Sequence, residues 1–457
     1  MLVRFKVANF LSFGDEQEFS MESGKLRSKM THVSRDRKSS ILKFAAIYGA
    51  NSSGKSSLVN ALDFGKEVVL SGMHVDYKNR YCRTKLENRD KVSLFEYTIK
   101  ISKRLYTFGF EVLLNEKSVR KEWLTEILTN SRTHTIYYRD TMEGVVKIDS
   151  RLCPEDQKTL KLFADLMKSN EEMLFLTEMN RNKADLYLEN DGLRFLQDIY
   201  QWFARDLIIN YPDSEITPAY YMDEDKLAEL NQLFLKMGLG VSKVEIIDGT
   251  VDEAQHYIPA NFLKDIRDRL LEVLSADKKK GTPAYSNAVV RVNSFMSIIS
   301  VNPDTEELQI KKVVFSHPGV STVFDIFEES EGTRRMLDLI EVLISAKMGR
   351  TRVYVIDEVD RCLHPLLTYR YIKEYLDSVA GSETQLIVTT HEAHLMDFTL
   401  IRADEIHFIT NVNGMSEIKT LEEYNLRFDK RLKPSYFKGN YGGIPYFDEV
   451  FMDGDEI

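Results

Sequence analysis

The chain has few of the features that mark secreted, membrane-spanning or disordered proteins. Its 457 residues include three cysteines, and Cys82, Cys153 and Cys362 lie too far apart for the paired spacing of a disulfide framework or a zinc site. No stretch approaches the roughly 20 consecutive apolar residues that span a bilayer. Tracts rich in proline or glycine are also missing. We therefore expect an ordered, reduced, cytoplasmic protein without a membrane segment.

The amino terminus lacks the pattern of a targeting signal. Its first residues, MLVRFKVANFLSF, alternate apolar with polar side chains and include Arg4 and Lys6. Two acidic residues, Asp15 and Glu16, follow soon afterwards. Because a signal peptide needs an uninterrupted apolar segment after its basic residues, this pattern predicts that the chain carries none.

Excess positive charge is also missing, since the net charge is −10. This balance argues against a surface that attracts nucleic acid everywhere, although one basic face remains compatible with it. Basic residues cluster at 25–38 and at 278–280. Charge runs of this kind are commonly exposed loops, which is the interpretation that the sequence favours.

Three regions differ in the periodicity of their apolar residues. Residues 1–150 show strand alternation, with a predicted hairpin whose turn lies at Lys103 and Arg104. Residues 151–290 show helical periodicity and are predicted to form a helical insertion. In residues 291–457 short apolar strands again alternate with helices, which is typical of a parallel sheet with crossover helices.

The motif most directly tied to chemistry lies near the amino terminus. Residues 49–56 read GANSSGKS and fit the pattern G-x-x-x-x-G-K-[ST] between a predicted strand, 41–48, and a predicted helix, 56–62. Such a loop wraps phosphates with backbone N–H groups, while Lys55 reaches the β- and γ-phosphates and Ser56 ligates Mg²⁺. The predicted nucleotide-binding residues of this loop are Gly49, Asn51, Ser52, Ser53, Gly54, Lys55, Ser56 and Ser57.

Two adjacent carboxylates follow a second apolar strand. The predicted strand Val353-Tyr354-Val355-Ile356 is followed by Asp357 and Glu358. Asp357 is placed to hold Mg²⁺, and Glu358 is placed to orient or deprotonate the attacking water. Acids in this position can instead cap the next helix, but the phosphate-binding loop in the same chain favours the catalytic interpretation.

A third strand ends in a histidine. The run Gln385-Leu386-Ile387-Val388 leads to Thr389-Thr390-His391, and ligand-contacting residues lie at the carboxyl ends of parallel strands. His391 is therefore predicted to contact the γ-phosphate. A metal pair with His394 is the alternative, and it lacks a clear third ligand.

A helix is predicted to start shortly before the strand that precedes Asp357. Residues 329–335 read ESEGTRR, with Ser330 as the predicted N-cap and Gly332 in the first turn. Considered alone, this is an ordinary capped helix start. It gains significance from its position, because one helix and its connection separate Gly332 from the Asp357 strand.

The order of these motifs, with a large insertion after the first, resembles the ABC-type ATPases that include the chromosome-maintenance and recombination ATPase heads. A closer resemblance is to the stand-alone RloA-like ATPases, relatives of the overcoming-lysogenization-defect proteins found in prokaryotic anti-phage loci such as the PARIS system. The segments that carry the resemblance are 5–13, 329–340, 357–365, 389–391 and 441–445.

The resemblance implies an α/β fold, namely an ABC-type P-loop ATPase head with a mixed-sheet lobe, a parallel-sheet lobe and a helical insertion. It assigns Lys55 and Ser56 to the Walker A motif, Asp357 and Glu358 to Walker B, and the switch role to His391. Two further residues, Ser330 and Gly332, would then contact the γ-phosphate of ATP held by a second copy. The protein is thus expected to be a homo-oligomer built from dimers.

Two departures from the family pattern bear on the rate of ATP hydrolysis. No clear Gln-loop glutamine follows the helix after the P-loop, and Glu331 stands where many cassettes have a second glycine. We therefore expect slow hydrolysis, with ATP acting partly as a ligand for assembly.

Three functions fit an ATPase of this kind. The first is a defence sensor or scaffold that controls a separately encoded effector protein after a phage trigger protein appears. The second is a DNA repair or chromosome-associated ATPase that clamps nucleic acid, and the third is a self-contained nuclease. Nuclease relatives carry a Toprim domain after the ATPase, for which the sequence leaves no room, and clamping relatives have long coiled coils, which are not seen here. The first function is therefore preferred.

The predicted insertion contains aromatic residues that could serve as anchors for such an effector. Aromatic residues at helical spacing usually pack in a core, and they are also favoured at protein interfaces. The sequence leaves both interpretations open for Tyr200, Trp202, Tyr211, Tyr220 and Tyr221.

Overall fold

The computed structural model describes residues 1–73, 77–128, 132–183, 185–213, 224–280, 287–292, 295–302, 304–424 and 432–442. The chain divides into two compact units, each built from separate segments. The first unit comprises Met1–Pro212, Gly349–Val359 and Leu376–Ile457, and the second comprises Asp213–Met348 and Asp360–Tyr375. Residues 151–290, predicted as one helical insertion, are thus divided between the units near residue 212.

The strands of the described residues are, in chain order, β1 (Leu2–Ala8), β2 (Gln17–Ser20), β3 (Val33–Arg35), β4 (Ser40–Leu42), β5 (Phe44–Tyr48), β6 (Ser93–Ile101), β7 (Arg104–Leu113), β8 (Ser118–Ile127), β9 (Thr133–Asp140), β10 (Val145–Ile148), β11 (Leu207–Asn210), β12 (Lys243–Gly249), β13 (Asn287–Val292), β14 (Phe295–Val301), β15 (Leu308–Ser316), β16 (Phe324–Asp325), β17 (Val353–Ile356), β18 (Gln385–Thr389), β19 (Ile406–Val412) and β20 (Met415–Thr420). The helices are α1 (Lys55–Ser71), α2 (Pro154–Met167), α3 (Phe175–Asn180), α4 (Leu186–Glu189), α5 (Arg194–Gln201), α6 (Glu224–Met237), α7 (Val251–Gln255), α8 (Ala260–Lys280), α9 (Glu331–Lys347), α10 (Pro365–Ser378) and α11 (Leu432–Phe437).

The first unit contains a seven-stranded antiparallel sheet with the order β10-β9-β8-β7-β6-β1-β2. In β1 the apolar residues Val3, Phe5 and Val7 are buried, as strand alternation predicts, because successive side chains point to opposite faces. The predicted hairpin is confirmed. Strands β6 and β7 pair antiparallel as far as Ile101 and Arg104, and the turn between them places Ser102 at a φ of 55°.

A six-stranded sheet with the order β11-β17-β18-β5-β19-β20 completes the main sheets of the first unit. All neighbouring pairs from β11 to β19 are parallel, and β20 pairs antiparallel with β19. Every residue of β5, β17 and β18 is buried, which explains why these strands appear as continuous apolar runs in the sequence. The predicted parallel sheet is confirmed.

Residues 151–212 pack into the core of the first unit. Trp202 is 1% exposed and makes an edge-on contact with Tyr97 of β6, whose ring centroid lies 6.3 Å away. The interpretation of Trp202 as an exposed anchor is therefore wrong, because its ring is buried in this core. Tyr200 and Tyr211 are half-buried. Tyr220 and Tyr221 lie outside the described residues.

The second unit has its own antiparallel sheet, with the order β12-β15-β14-β13 and β16 paired to β15. A separate apolar cluster includes Ile258 and Leu263 from the α7–α8 region and Ile299 from β14. Helix α9 also belongs to this unit and buries Leu337, Ile340 and other apolar residues. Among the helices in the described ranges, none has the length and apolar character needed to cross a bilayer.

Candidate functional site

The loop of residues 49–56 joins a buried strand to a helix, as the motif predicts. Strand β5 ends at Tyr48 and α1 begins at Lys55. Gly54 caps the helix with a φ of 111°, a conformation that suits glycine because it has no Cβ. Ser52 also has a positive φ, 63°. These two residues turn the chain so that the first N–H groups of α1 face the loop.

Lys55 lies against the loop that precedes it. Its ammonium group donates to the carbonyl oxygens of Gly49 at 2.8 Å and Ala50 at 3.1 Å, and the residue is only 6% exposed. The loop therefore carries a buried positive charge close to its own backbone. A phosphate bound in this loop would meet both N–H groups and an ammonium group.

Close packing fixes the position of the loop in the first unit. A Cβ on Gly49 would lie 2.3 Å from Ser53 Oγ and 2.5 Å from the carbonyl oxygen of Ile409. A Cβ on Gly54 would lie 2.1 Å from Ser416 Oγ in β20. Larger residues at either glycine would therefore displace the loop from β19 and β20.

Ser416 is a contact of the loop that the sequence motifs did not reveal. Its hydroxyl lies 2.6 Å from the carbonyl oxygen of Ser53 and 2.7 Å from Ser12 Oγ. Ser12 follows β1 and also accepts the backbone N–H of Ser416 at 2.7 Å through its carbonyl oxygen. Ser416 thus holds the loop directly, and Ser12, distant in sequence, holds Ser416.

The loop's remaining predicted residues are more accessible. Asn51, Ser52 and Ser56 are exposed and Ser57 is half-buried. Ser56 lies in the first turn of α1, and its carbonyl oxygen accepts a hydrogen bond from Asn60. Its side chain is therefore accessible at the helix start, which suits a ligand for Mg²⁺.

Asp357 and Glu358 follow β17 immediately. Asp357 is 3% exposed, and its backbone N–H donates to the carbonyl oxygen of Asn210 at 2.9 Å. Glu358 is half-buried and has a φ of 49°, which is unusual for a residue other than glycine. The chain thus turns directly after β17, and the backbone N–H of the next residue, Val359, donates to the carbonyl oxygen of Thr389 in β18 at 3.0 Å.

Strand β18 lies between β17 and β5 in the sheet. Its extension donates the backbone N–H of Thr390 to the carbonyl oxygen of Ile47 at 3.1 Å, and the exposed residue His391 follows. Because β5, β17 and β18 are parallel, their carboxyl ends share one edge of the sheet. The loop of residues 49–57, the two acids Asp357 and Glu358, and His391 all follow strands that end at this edge.

The neighbouring residue His394 has a local partner. Its Nδ1 contacts the carboxylate of Glu392, which also accepts the backbone N–H of His394 at 2.7 Å. This contact orders the short turn after β18.

The carboxyl end of β11 brings Tyr211 to the same edge of the sheet, whereas the sequence had indicated this residue only as a candidate aromatic anchor. Strand β11 pairs with β17, so Tyr211 follows a strand beside Walker B. Its hydroxyl donates to Asp63 of α1 at 2.9 Å. Burial, together with the carboxylates of Asp63 and Asp357, raises the pKa of Tyr211 well above its usual range, so it stays a neutral donor. The short apolar run LIIN was the available signal for this strand.

Ser330 and Gly332 belong to the second unit, whereas Lys55 belongs to the first. The prediction that Ser330 caps a helix is confirmed, since its hydroxyl accepts the backbone N–H of Thr333 at 3.1 Å at the start of α9. Gly332 lies close to another chain segment, and a Cβ there would be 2.8 Å from the carbonyl oxygen of Cys362. Ser330 itself is exposed.

The residues present fit ATP and Mg²⁺. The loop offers glycines at points of close approach, helix N–H groups and the ammonium of Lys55, which are the groups that bind phosphates. Ser56 and Asp357 offer the hydroxyl and carboxylate oxygens that a hard divalent cation prefers. The roles of these residues and of His391 toward nucleotide remain predictions from the motifs.

The buried P-loop strand, the parallel order of the central sheet and the Walker B turn define an ABC-type P-loop ATPase head. The family described as "AAA domain, putative AbiEii toxin, Type IV TA system" matches residues 44–397, which is most of the chain. The chain therefore belongs to this AAA-type ATPase family. The matched range contains all the predicted site residues, from Gly49 to His391.

Comparison with solved structures finds heads of the SMC class. An Smc head bound to the C-winged helix domain of ScpA shares 14% identity, with a TM-score of 0.44, over 92% of this chain and 98% of that chain. The SMC head domain from Thermotoga maritima shares 13% identity, with a TM-score of 0.34, over 92% of this chain and 98% of that chain. An Smc head from Pyrococcus furiosus, solved with an extended coiled coil and bound to the C-terminal domain of ScpA, shares 16% identity, with a TM-score of 0.38, over 92% and 97%. Likenesses at this level carry no functional information. A search of curated proteins gives no significant match.

Proposed function

We propose that the chain binds ATP together with Mg²⁺ and hydrolyses the ATP. The observation that carries this proposal is the shared edge of the six-stranded sheet, where Lys55, Asp357 and Glu358 all follow parallel strands. Lys55 would neutralise phosphate charge, and Ser56 with Asp357 would hold Mg²⁺. Bound Mg²⁺ supplies further neutralisation of the charge that develops during phosphoryl transfer.

Glu358 has the remaining chemical role in this proposal. Its carboxylate accepts the proton of the attacking water, and its position one residue after Asp357 separates this task from metal binding. Glu358→Gln keeps the size of the side chain and removes the base. The variant should bind ATP as tightly as the wild type in calorimetry and should not turn it over. Wild-type turnover in Glu358→Gln would remove Glu358 from this role.

The hydrolytic site is proposed to form between two copies of the chain. The motif at Ser330 and Gly332 is placed at an exposed helix start, where backbone N–H groups favour an anion. The resemblance to ABC-type heads implies that this helix start contacts the γ-phosphate of ATP bound by the partner copy. ATP would then act as the ligand that joins two chains.

The biological role that we propose is that of a sensor or scaffold in anti-phage defence. The family's description names a toxin of a type IV toxin–antitoxin system, and the sequence resembles ATPases from defence loci. In this role the ATP-bound oligomer holds a separately encoded effector protein, and a phage trigger protein changes that association. Expression of the native locus with and without this gene, followed by phage challenge, tests the role directly. Equal phage sensitivity in both strains would exclude it.

A further inference from the structure

The side chain of Thr389 joins the two Walker B acids to the next strand of the sheet. Its hydroxyl donates to Asp357 Oδ1 at 2.5 Å and accepts the backbone N–H of Glu358 at 2.8 Å. Thr389 is the last residue of β18 and is 0% exposed. One buried hydroxyl therefore contacts both residues to which the metal and base roles are assigned.

The backbone of Thr389 holds the same turn at a third point. Its carbonyl oxygen accepts the N–H of Val359 at 3.0 Å. Glu358 lies between these contacts with a φ of 49°, a conformation that persists only when surrounding contacts fix it. The hydroxyl and carbonyl of Thr389 supply such contacts on both sides of Glu358.

Asp357 is held from the opposite side as well. Its backbone N–H donates to Asn210 in β11, while its carboxylate receives the Thr389 hydroxyl from β18. Carboxylate ligands of metal ions are commonly oriented by hydrogen bonds of this kind, and loss of such a partner weakens metal binding. The contact with Thr389 thus fixes the rotation of the Asp357 carboxylate.

We infer that Thr389 is a positioning residue for the ATPase site, which orients Asp357 toward Mg²⁺ and fixes the turn that presents Glu358. This inference rests on the proposed ATPase function. Thr389 is a positioning residue that acts through Asp357 and Glu358 rather than by touching nucleotide or metal. Because Thr389 also begins the segment that leads to His391, it links the Walker B turn to the strand of the switch histidine.

The test separates the hydroxyl from the packing of the side chain. Thr389→Val keeps the shape and removes the hydroxyl, whereas Thr389→Ser keeps the hydroxyl and removes a methyl group. Thr384→Val is the matched control, because Thr384 is also 0% exposed, immediately precedes β18 and donates its hydroxyl to the carbonyl oxygen of Arg350 at 2.6 Å. If Thr389→Val does not fold, Thr389→Ala replaces it.

The first measurement is Mn²⁺ affinity by electron paramagnetic resonance in the presence of a non-hydrolysable ATP analogue, with full-length protein. We expect Thr389→Val to bind Mn²⁺ about tenfold to a hundredfold more weakly, with Thr389→Ser and Thr384→Val close to wild type. The second measurement is ATP turnover at saturating nucleotide and varied Mg²⁺. Thr389→Val should need more Mg²⁺ and should have a lower kcat even when Mg²⁺ saturates.

Three results would overturn the inference. They are wild-type Mn²⁺ affinity in Thr389→Val, an equal loss in Thr384→Val, and a loss in Thr389→Ser as large as that in Thr389→Val. Failure of the proposed function gives a different result, because a wild-type protein without ATP turnover can still show Mn²⁺ affinity that depends on the Thr389 hydroxyl.

Discussion

The ammonium group of Lys55 donates to the carbonyl oxygen of Gly49, 2.8 Å away, so the first residue of α1 closes the loop that leads into it. This contact places a positive charge beside the loop backbone. Lys55→Ala should therefore remove the main electrostatic contact with ATP. We expect ATP binding to weaken by about 3 kcal/mol or more, roughly a hundredfold, in calorimetry.

The exposed residue Lys85 provides a control for the change in net charge. Lys85→Ala should bind ATP like the wild type. Unchanged ATP affinity in Lys55→Ala would show that Lys55 is not part of the nucleotide site.

Gly54→Ala tests the close approach of the P-loop to β20. Gly54 has a φ of 111°, and its added Cβ would lie 2.1 Å from Ser416 Oγ, so strain and steric overlap act together. We expect a loss of stability of about 2–4 kcal/mol in chemical denaturation together with weaker ATP binding.

Gly349 is a matched control for this substitution. It also has a positive φ, 66°, but an added Cβ meets nothing within 4 Å. Gly349→Ala should cost about 1 kcal/mol and leave ATP binding unchanged. Equal losses of stability at the two glycines would show that the contact with Ser416 has no energetic importance.

His407 predicts a pH dependence of stability. Burial lowers the pKa of His407 from 6.5 to about 4, although Asp404 and Glu423 act in the opposite direction. The unfolded state therefore binds a proton at a higher pH than the folded state does. The stability contributed by neutral His407 is fully present above about pH 6.5 and is lost between pH 6.5 and 4, by about 3 kcal/mol.

His407→Gln removes this titration and keeps an N–H donor for the carbonyl oxygen of Ser20, which His407 Nε2 contacts at 3.1 Å. Between pH 6.5 and 4, the variant should lose less unfolding free energy than the wild type in urea denaturation. If the unfolding free energies of the wild type and His407→Gln changed with pH in parallel, His407 would not be the source of this pH dependence.

A separately encoded effector is proposed to bind the chain in a way that depends on its nucleotide state. If ATP controls an effector, the effector must bind one state more tightly than another. We expect a protein from the native operon to co-purify with Glu358→Gln in ATP to a different extent than with the nucleotide-free wild type. A chain that always emerges alone would favour the nucleic-acid-clamping function.

The motif-bearing elements could be predicted from the sequence because their signals are local. The P-loop pattern, the run before Asp357 and the cap at Ser330 each depend on a few adjacent residues. Strand β11 could not be recognised in the same way. Its four residues form a strand because they pair with β17, which lies far along the chain. Trp202 was open to two interpretations for a related reason, because its burial depends on contact with β6.

The supporting contacts of the site could not be predicted from sequence patterns either. Thr389 was visible only as part of the strand before His391, and nothing in that run shows that its hydroxyl reaches Asp357. Ser416 lies in a strand without any motif, yet its hydroxyl contacts the P-loop. Such contacts arise from strand order in the folded sheet, which local sequence does not encode.

In the proposed ATPase, two copies of the chain complete each site, with Lys55 from one copy and Ser330 from the other. Ser330→Asp is a sharp test of the signature residue, because aspartate preserves the N-cap of α9 while its charge repels a phosphate. Ser330→Asn is its neutral control, and it should retain more activity than Ser330→Asp because it caps the helix without adding a negative charge.

The deciding measurement is the ATPase rate of Lys55→Ala and Ser330→Asp proteins, assayed separately and as an equimolar mixture after subunit exchange. Each variant alone should be inactive. The mixture should regain up to about a quarter of the wild-type rate, since about half of randomly formed dimers are mixed and each mixed dimer has one intact site. A mixture as inactive as its components, with exchange verified and activity of the wild type independent of protein concentration, would contradict the two-copy site.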